Sequence, residues 1–264
     1  MKKEAPVKTL YYKDELNDDF SATNESIDKK VIDEKFNYFR LDNFFIRLWS
    51  NFLYFIIIKP LIFLALKIYS HYKVVNRKVI KKRGKNGCFI YGNHTNYLPD
   101  AAINSLLHAG RNYVVTGSET VNIKGIVGLV QDLGAIPLGD TLEARKHFLE
   151  SLEKKLKKNA SITIYPEAHI WPYYTKVRPF KKDSFTYPYE FNVPVYSVAT
   201  CYQKRRFGIR PRIVHVVDGP FYPDKSLPRG KAIQLLRDQV HDSLVNATNK
   251  YSTYEYFHYE KKED

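Results

Sequence analysis

The chain has 264 residues, of which 44% are hydrophobic and 15% aromatic, enough to bury one sizeable core and too apolar for a disordered chain. Its formal net charge of +14 calls for a partner of negative charge, either an anionic membrane surface or a nucleic acid. The two cysteines, Cys88 and Cys201, lie in apolar strand-like runs and read as buried free thiols of a reducing compartment, which excludes a disulfide scaffold.

Residues 1–34 are polar and carry six lysines against nine acidic residues, a net of −3, so the remaining residues carry +17. No secretory signal pattern opens the chain, and this stretch reads as a mobile or loosely docked arm. Residues 35–85 differ sharply. Within them Leu48 to Ile58 is the longest run without a charge, eleven residues, where a bilayer-spanning helix needs about 20. Pro60 would start a second helix or kink the first. The pattern predicts an interfacial helical hairpin in one leaflet, with Trp49, Tyr54 and Tyr69 near the interface and Lys59 and Lys67 snorkelling. A basic stretch follows, with Lys73, Arg77, Lys78, Lys81, Lys82, Arg83 and Lys85 placing seven cations in thirteen residues. Beside an interfacial hairpin these would face anionic lipid head groups. The stretch lacks the regular aromatic interleaving of a nucleic-acid stacking platform, so no nucleic acid is expected. The expected location is the cytoplasmic face of a membrane.

Residues 86–264 alternate short apolar runs with helical patterns. Strands are predicted at 88–91, 113–116, 135–138, 161–165, 193–202 and 212–217. Helices are predicted at 100–108, 123–133, 141–158 and 229–249, with Asp140 and Glu143 resembling a capping box at the start of the third. This alternation predicts an α/β fold with a mixed, mostly parallel sheet flanked by helices.

In such a sheet, ligands gather where strands end and loops begin. His94 lies just past the strand ending at Tyr91, and Asp100 follows six positions later, able to turn back toward it. A histidine steered by a carboxylate is a usual way to build a general base. A second loop, from Tyr165 to Lys182, is rich in proline, aromatics and cations. His94, Asp100, Glu167 and His169 are residue types that suit zinc or iron, but no tight ligand spacing supports a metal site. Trp171, Tyr173 and Tyr174 either line a substrate channel or pack under the loop.

Four segments in order, Asn93-His94 with Asp100, Gly134-Ala135-Ile136-Pro137-Leu138, Tyr165-Pro166-Glu167 and Val193-Pro194-Val195, resemble the motif blocks of the PlsC-type glycerolipid acyltransferases. Within that family the chain most resembles the 1-acylglycerol-3-phosphate acyltransferases, over roughly residues 88–200. The resemblance implies transfer of a fatty acyl group from an acyl thioester, acyl-CoA or acyl carrier protein, to a lipid hydroxyl. It implies no other cofactor, with His94 as general base, Asp100 as its orienting partner, and Asn93, Glu167 and His169 toward the acceptor.

The chain departs from the family in three places. Five residues separate His94 from Asp100 where the family has four, with Pro99 the extra one. Asp140 stands where the second block ends in arginine. The usual Glu-Gly-Thr-Arg reads Glu167-Ala168-His169-Ile170. The two missing arginines are the family's phosphate contacts. Either Lys176, Arg178, Lys181 and Lys182 replace them, or the acceptor is a lipid or glycolipid without a phosphate monoester. A different class of protein, one that binds membrane or nucleic acid without catalysis, would account for the charge but not for the four blocks.

Overall fold

Five consecutive buried residues, Cys88–Gly92 (β3), occupy the middle of a seven-stranded sheet. A strand buried on both faces is expected to be apolar throughout. The structure is a computed structural model that describes residues 8–20, 31–83, 87–96, 100, 102–121 and 125–262. In chain order the elements are β1 Lys8–Tyr12, α1 Phe44–Tyr69, β2 Lys73–Val75, α2 Arg77–Lys81, β3, β4 Asn112–Thr116, α3 Val127–Asp132, β5 Ala135–Pro137, α4 Leu142–Lys157, β6 Ser161–Ile164, α5 Thr186–Phe191, β7 Val195–Gln203, β8 Arg212–Phe221, α6 Arg229–Tyr251 and β9 Phe257–Lys261. The large sheet runs β2-β8-β7-β3-β6-β4-β5 and is parallel except where β8 pairs antiparallel with β7. The mixed, mostly parallel α/β sheet expected from the sequence is therefore present.

Helix α4 shows why the layers hold. Ala144, Phe148, Leu152 and Leu156 repeat at four-residue spacing and are all buried against the sheet. Each large apolar side chain buried this way contributes about 1.5–3 kcal/mol. Thr141 caps the helix, its hydroxyl accepting the Ala144 N–H at 3.1 Å. Asp140, expected to cap, instead accepts the Ile32 N–H at 2.7 Å and returns its own N–H to Ile32 O at 2.9 Å. Thr141 lies one position nearer the helix, where a side-chain oxygen reaches the first free N–H groups.

The expected hairpin is corrected to one helix, α1, which continues through Pro60. Residues Leu53–Ile58 are π-helical, and the Lys59 N–H bonds five residues back to Tyr54 O. That wider turn makes room for a proline ring that would clash in a regular helix. The helix, 26 residues long and apolar enough to cross a membrane by length and composition, docks on the domain at a few points. Ser50, Tyr54 and Leu66 are buried, Ser50 Oγ donates to Asp132 O at 2.8 Å, and Lys59 Nζ donates to His108 O at 2.8 Å. Lys59 is thus spent on the domain and does not snorkel, and Tyr54 is likewise interior. The opposite face exposes Phe45, Leu48, Trp49, Phe52, Ile56, Phe63 and Leu64.

The described part of the N-terminal arm is docked. Strand β1 pairs in parallel with β9, Lys8 opposite Phe257, and residues 18–20 reach the loop after β6. Trp171 Nε1 donates to Asp18 O at 2.8 Å.

Candidate active site

Strands β3 and β6 are parallel neighbours with Tyr91 opposite Ile164. His94 and Glu167 each follow three residues later, so topology alone brings their loops together at the carboxyl edge of the sheet. The His94 Nδ1–H donates to Asp100 Oδ2 at 2.9 Å. The same oxygen accepts the backbone N–H groups of Thr95 at 2.9 Å and Asn96 at 2.8 Å. Three donors thus converge on one oxygen of a fully buried carboxyl group, and this contact fixes the imidazole tautomer. The His94 ring stacks on Tyr165 with centroids 4.5 Å apart, and the Tyr165 hydroxyl donates to Asp100 O at 2.7 Å. Burial, with Asp100 close by, pushes the Tyr165 hydroxyl well above its ordinary pKa, so it stays a neutral donor. The His94 side chain remains 18% exposed and Nε2 has no hydrogen-bond partner among the described residues, which leaves its lone pair available as a base. The expected reach of Asp100 back to His94 is met, while Tyr97, Leu98 and Pro99, the residues of the extra-length loop, lie outside the described residues.

Glu167 is buried and acts as a clamp. Oε2 accepts the His94 N–H at 3.1 Å, and Oε1 accepts the Arg178 N–H at 3.0 Å. Burial raises its pKa, and the Arg178 guanidinium opposes that rise. Arg178 lies 3.5 Å from Oε2 with both side chains 1% exposed, and it also donates to His169 O and Glu15 O. Its guanidinium is thus committed inside the protein and is not presented to a ligand, unlike the expected phosphate contact.

Asn93 also has a different role from the expected acceptor contact. Its amide is fully buried, donating to Thr200 O at 3.1 Å and accepting the Thr200 N–H at 2.7 Å, which ties the end of β3 to β7. His169 turns toward Asp19, 3.5 Å away. Lys176, Lys181 and Lys182 are exposed. Trp171 is fully buried between Tyr12, Phe20, Tyr174 and Tyr259, so the aromatic cluster packs under the loop. Among the described residues no three His, Cys, Asp or Glu side chains are grouped to hold a metal ion.

One exposed cation escaped the sequence reading. Arg145 Nε donates to Gly139 O at 3.1 Å, on the loop after β5. Its charge also acts on the Tyr187 hydroxyl, opposing the rise in pKa that burial causes there. Arg145 therefore lies near Tyr187, five residues beyond Lys182 in the chain. A lone arginine one turn into a helix gave no motif signal.

Residues 71–200 match the model of the acyltransferase family. No curated protein matches the chain. Among solved structures the fold resembles the 1-acyl-sn-glycerophosphate (LPA) acyltransferase PlsC from Thermotoga maritima, with a TM-score of 0.55 and 15% identity, over 82% of this chain and 95% of that one. Over residues 71–200 the chain thus resembles the acyltransferase family, on a fold like that of PlsC, with its His94 and Glu167 blocks meeting at the carboxyl edge of the sheet and its Val193-Pro194-Val195 block at the amino end of β7.

Proposed function

We propose that the chain is an O-acyltransferase that moves a fatty acyl group from acyl-CoA or acyl carrier protein to the hydroxyl of a glycerolipid. The observation that carries this reading is the 2.9 Å contact of His94 Nδ1 with Asp100, with Nε2 left without a partner among the described residues. An acceptor hydroxyl placed at Nε2 gives up its proton as its oxygen attacks the thioester carbonyl. Asp100 stabilises the imidazolium that results. The C–S bond then breaks as the tetrahedral intermediate collapses, and the imidazolium returns the proton to the leaving thiolate. No covalent acyl-enzyme is needed, and both cysteines are buried with thiols raised in pKa by burial.

The preferred acceptor is 1-acylglycerol-3-phosphate. Lys176, Lys181 and Lys182 in one loop, and Arg145 on α4, supply exposed positive charge, and cations can bind phosphate from several directions. A neutral lipid or glycolipid acceptor is the second reading, favoured by Asp140 and by the burial of Arg178. Lipid analysis after incubating purified protein with an acyl thioester and a mixed acceptor panel separates them. Faster acylation of phosphate-bearing acceptors is expected, and equal rates on neutral ones would favour the second.

The exposed face of α1 supports membrane association. A contiguous apolar face of this kind on a folded protein marks a membrane or protein contact. Because Ser50, Tyr54, Lys59 and Leu66 bind one face of α1 to the domain, we infer that the helix lies along the membrane surface with its opposite face in the bilayer.

A further inference from the structure

The hairpin joining β7 to β8 carries features that the acyl-transfer site does not use. From Lys204 to Arg212 it holds five cations, Lys204, Arg205, Arg206, Arg210 and Arg212, and no acid. At its tip Phe207 and Ile209 flank Gly208 and are 61% and 65% exposed. Large apolar side chains held in water at the end of a basic loop cost free energy unless something covers them.

The position of this tip indicates what covers it. Arg205 donates to Tyr69 O, Arg212 Nε donates to His71 O at 3.0 Å, and the Ile213 N–H bonds to Ser70 O at 3.1 Å. These bonds engage carbonyls at the C-terminal end of α1, where the helix dipole also favours cations. The tip is thus pinned beside the last turn of α1, where Ile68 and Tyr69 are 57% and 68% exposed. Two apolar surfaces rimmed by positive charge meet there.

We propose that residues 203–212 form a second membrane-contacting element, seating Phe207 and Ile209 at the acyl boundary and their neighbouring cations among anionic head groups. The inference rests on the membrane reading of α1. A nucleic acid would satisfy the cations alone, but it leaves aliphatic Ile209 and the adjoining apolar helix without a partner. An anionic bilayer satisfies both.

The test is sedimentation of the full chain with vesicles of phosphatidylcholine alone or of equimolar phosphatidylcholine and phosphatidylglycerol. Phe207→Ser with Ile209→Ser should weaken binding to both vesicles by about tenfold. Lys204→Gln with Arg206→Gln and Arg210→Gln should lose about fivefold per cation on the anionic vesicles only. Both variants should keep the parent's melting midpoint. Phe63→Ser with Leu64→Ser, on α1, serves as the control. If that control weakens binding and both tip variants bind as the parent, the tip proposal fails while the membrane reading of α1 stands. If the parent sediments with neither vesicle, both fail. If the charge variant keeps vesicle binding but loses retention on RNA, the tip is a nucleic-acid element and the proposal is overturned.

Discussion

Glu167 and Arg178 form a buried ion pair, 3.5 Å apart with both side chains 1% exposed, and the same carboxylate holds the backbone N–H of His94 at 3.1 Å. One side chain thereby fixes the loop after β6 against the loop after β3. Removing one partner of such a pair leaves a buried charge uncompensated, at a cost of about 3–5 kcal/mol. Arg178→Met and Glu167→Gln should each lower the urea midpoint strongly. Because the two side chains share one interaction, the double variant should cost less than the sum by at least about 1 kcal/mol. Additive losses in a double-mutant cycle would show that the pair does not couple.

Asp100 accepts three hydrogen bonds on a single oxygen, one of them from the His94 ring. Asp100→Asn keeps the shape but offers His94 the wrong hydrogen-bonding partner, so the base is held in the wrong tautomer. The expected loss in kcat is about 100-fold or more, with KM for the acyl donor little changed. A loss confined to KM would mean that Asp100 acts in binding.

Ala168 adopts φ +65°, a left-handed conformation that costs an L-residue about 1–2 kcal/mol. This is the position where the family's third block carries glycine. Ala168→Gly relieves that strain but gives a more flexible unfolded chain, so it should stabilise the protein by about 0.5–1 kcal/mol in chemical denaturation. A destabilised variant would mean that the Ala168 methyl group contributes packing worth more than the strain.

Much of the fold and the site was legible in the sequence, for local reasons. The central strands are apolar runs, since strands buried on both faces admit little else, and β3 and β6 end two and three residues before His94 and Glu167. What was not legible depends on distant partners. Strands β1 and β9 are half exposed and pair residue 8 with residue 257, a contact that no local pattern announces. Pro60 reads as a helix break because the compensating π-helical turn leaves no sequence mark. The burial of Arg178 and the inward amide of Asn93 follow from partners on other loops, so composition left both looking like ligand contacts. Asp140 lost the capping position because Thr141 is better placed and Ile32 takes its carboxylate.

His108 and His215 are buried, and burial lowers each pKa to about 3, with nearby cations adding to the effect at His108. Both stay neutral in the fold, whereas the unfolded chain takes up their protons near the ordinary value of 6.5. Stability is therefore full above pH 6.5 and falls as pH drops from there toward 3. Within that window each histidine contributes a slope of about 1.4 kcal/mol per pH unit. Urea titrations of His215→Gln against pH should show a shallower acid loss than the parent. Parallel curves would mean that His215 is protonated in the fold.

His94 is the centre of the account, and its imidazole is the group that must take the acceptor's proton. The direct measurement is the rate at which purified parent and His94→Ala convert an acyl thioester and 1-acylglycerol-3-phosphate to the diacylated lipid, with both proteins shown to melt alike. The account predicts transfer by the parent and a loss of about 100-fold or more in the variant. A His94→Ala protein that acylates as fast as the parent would contradict it.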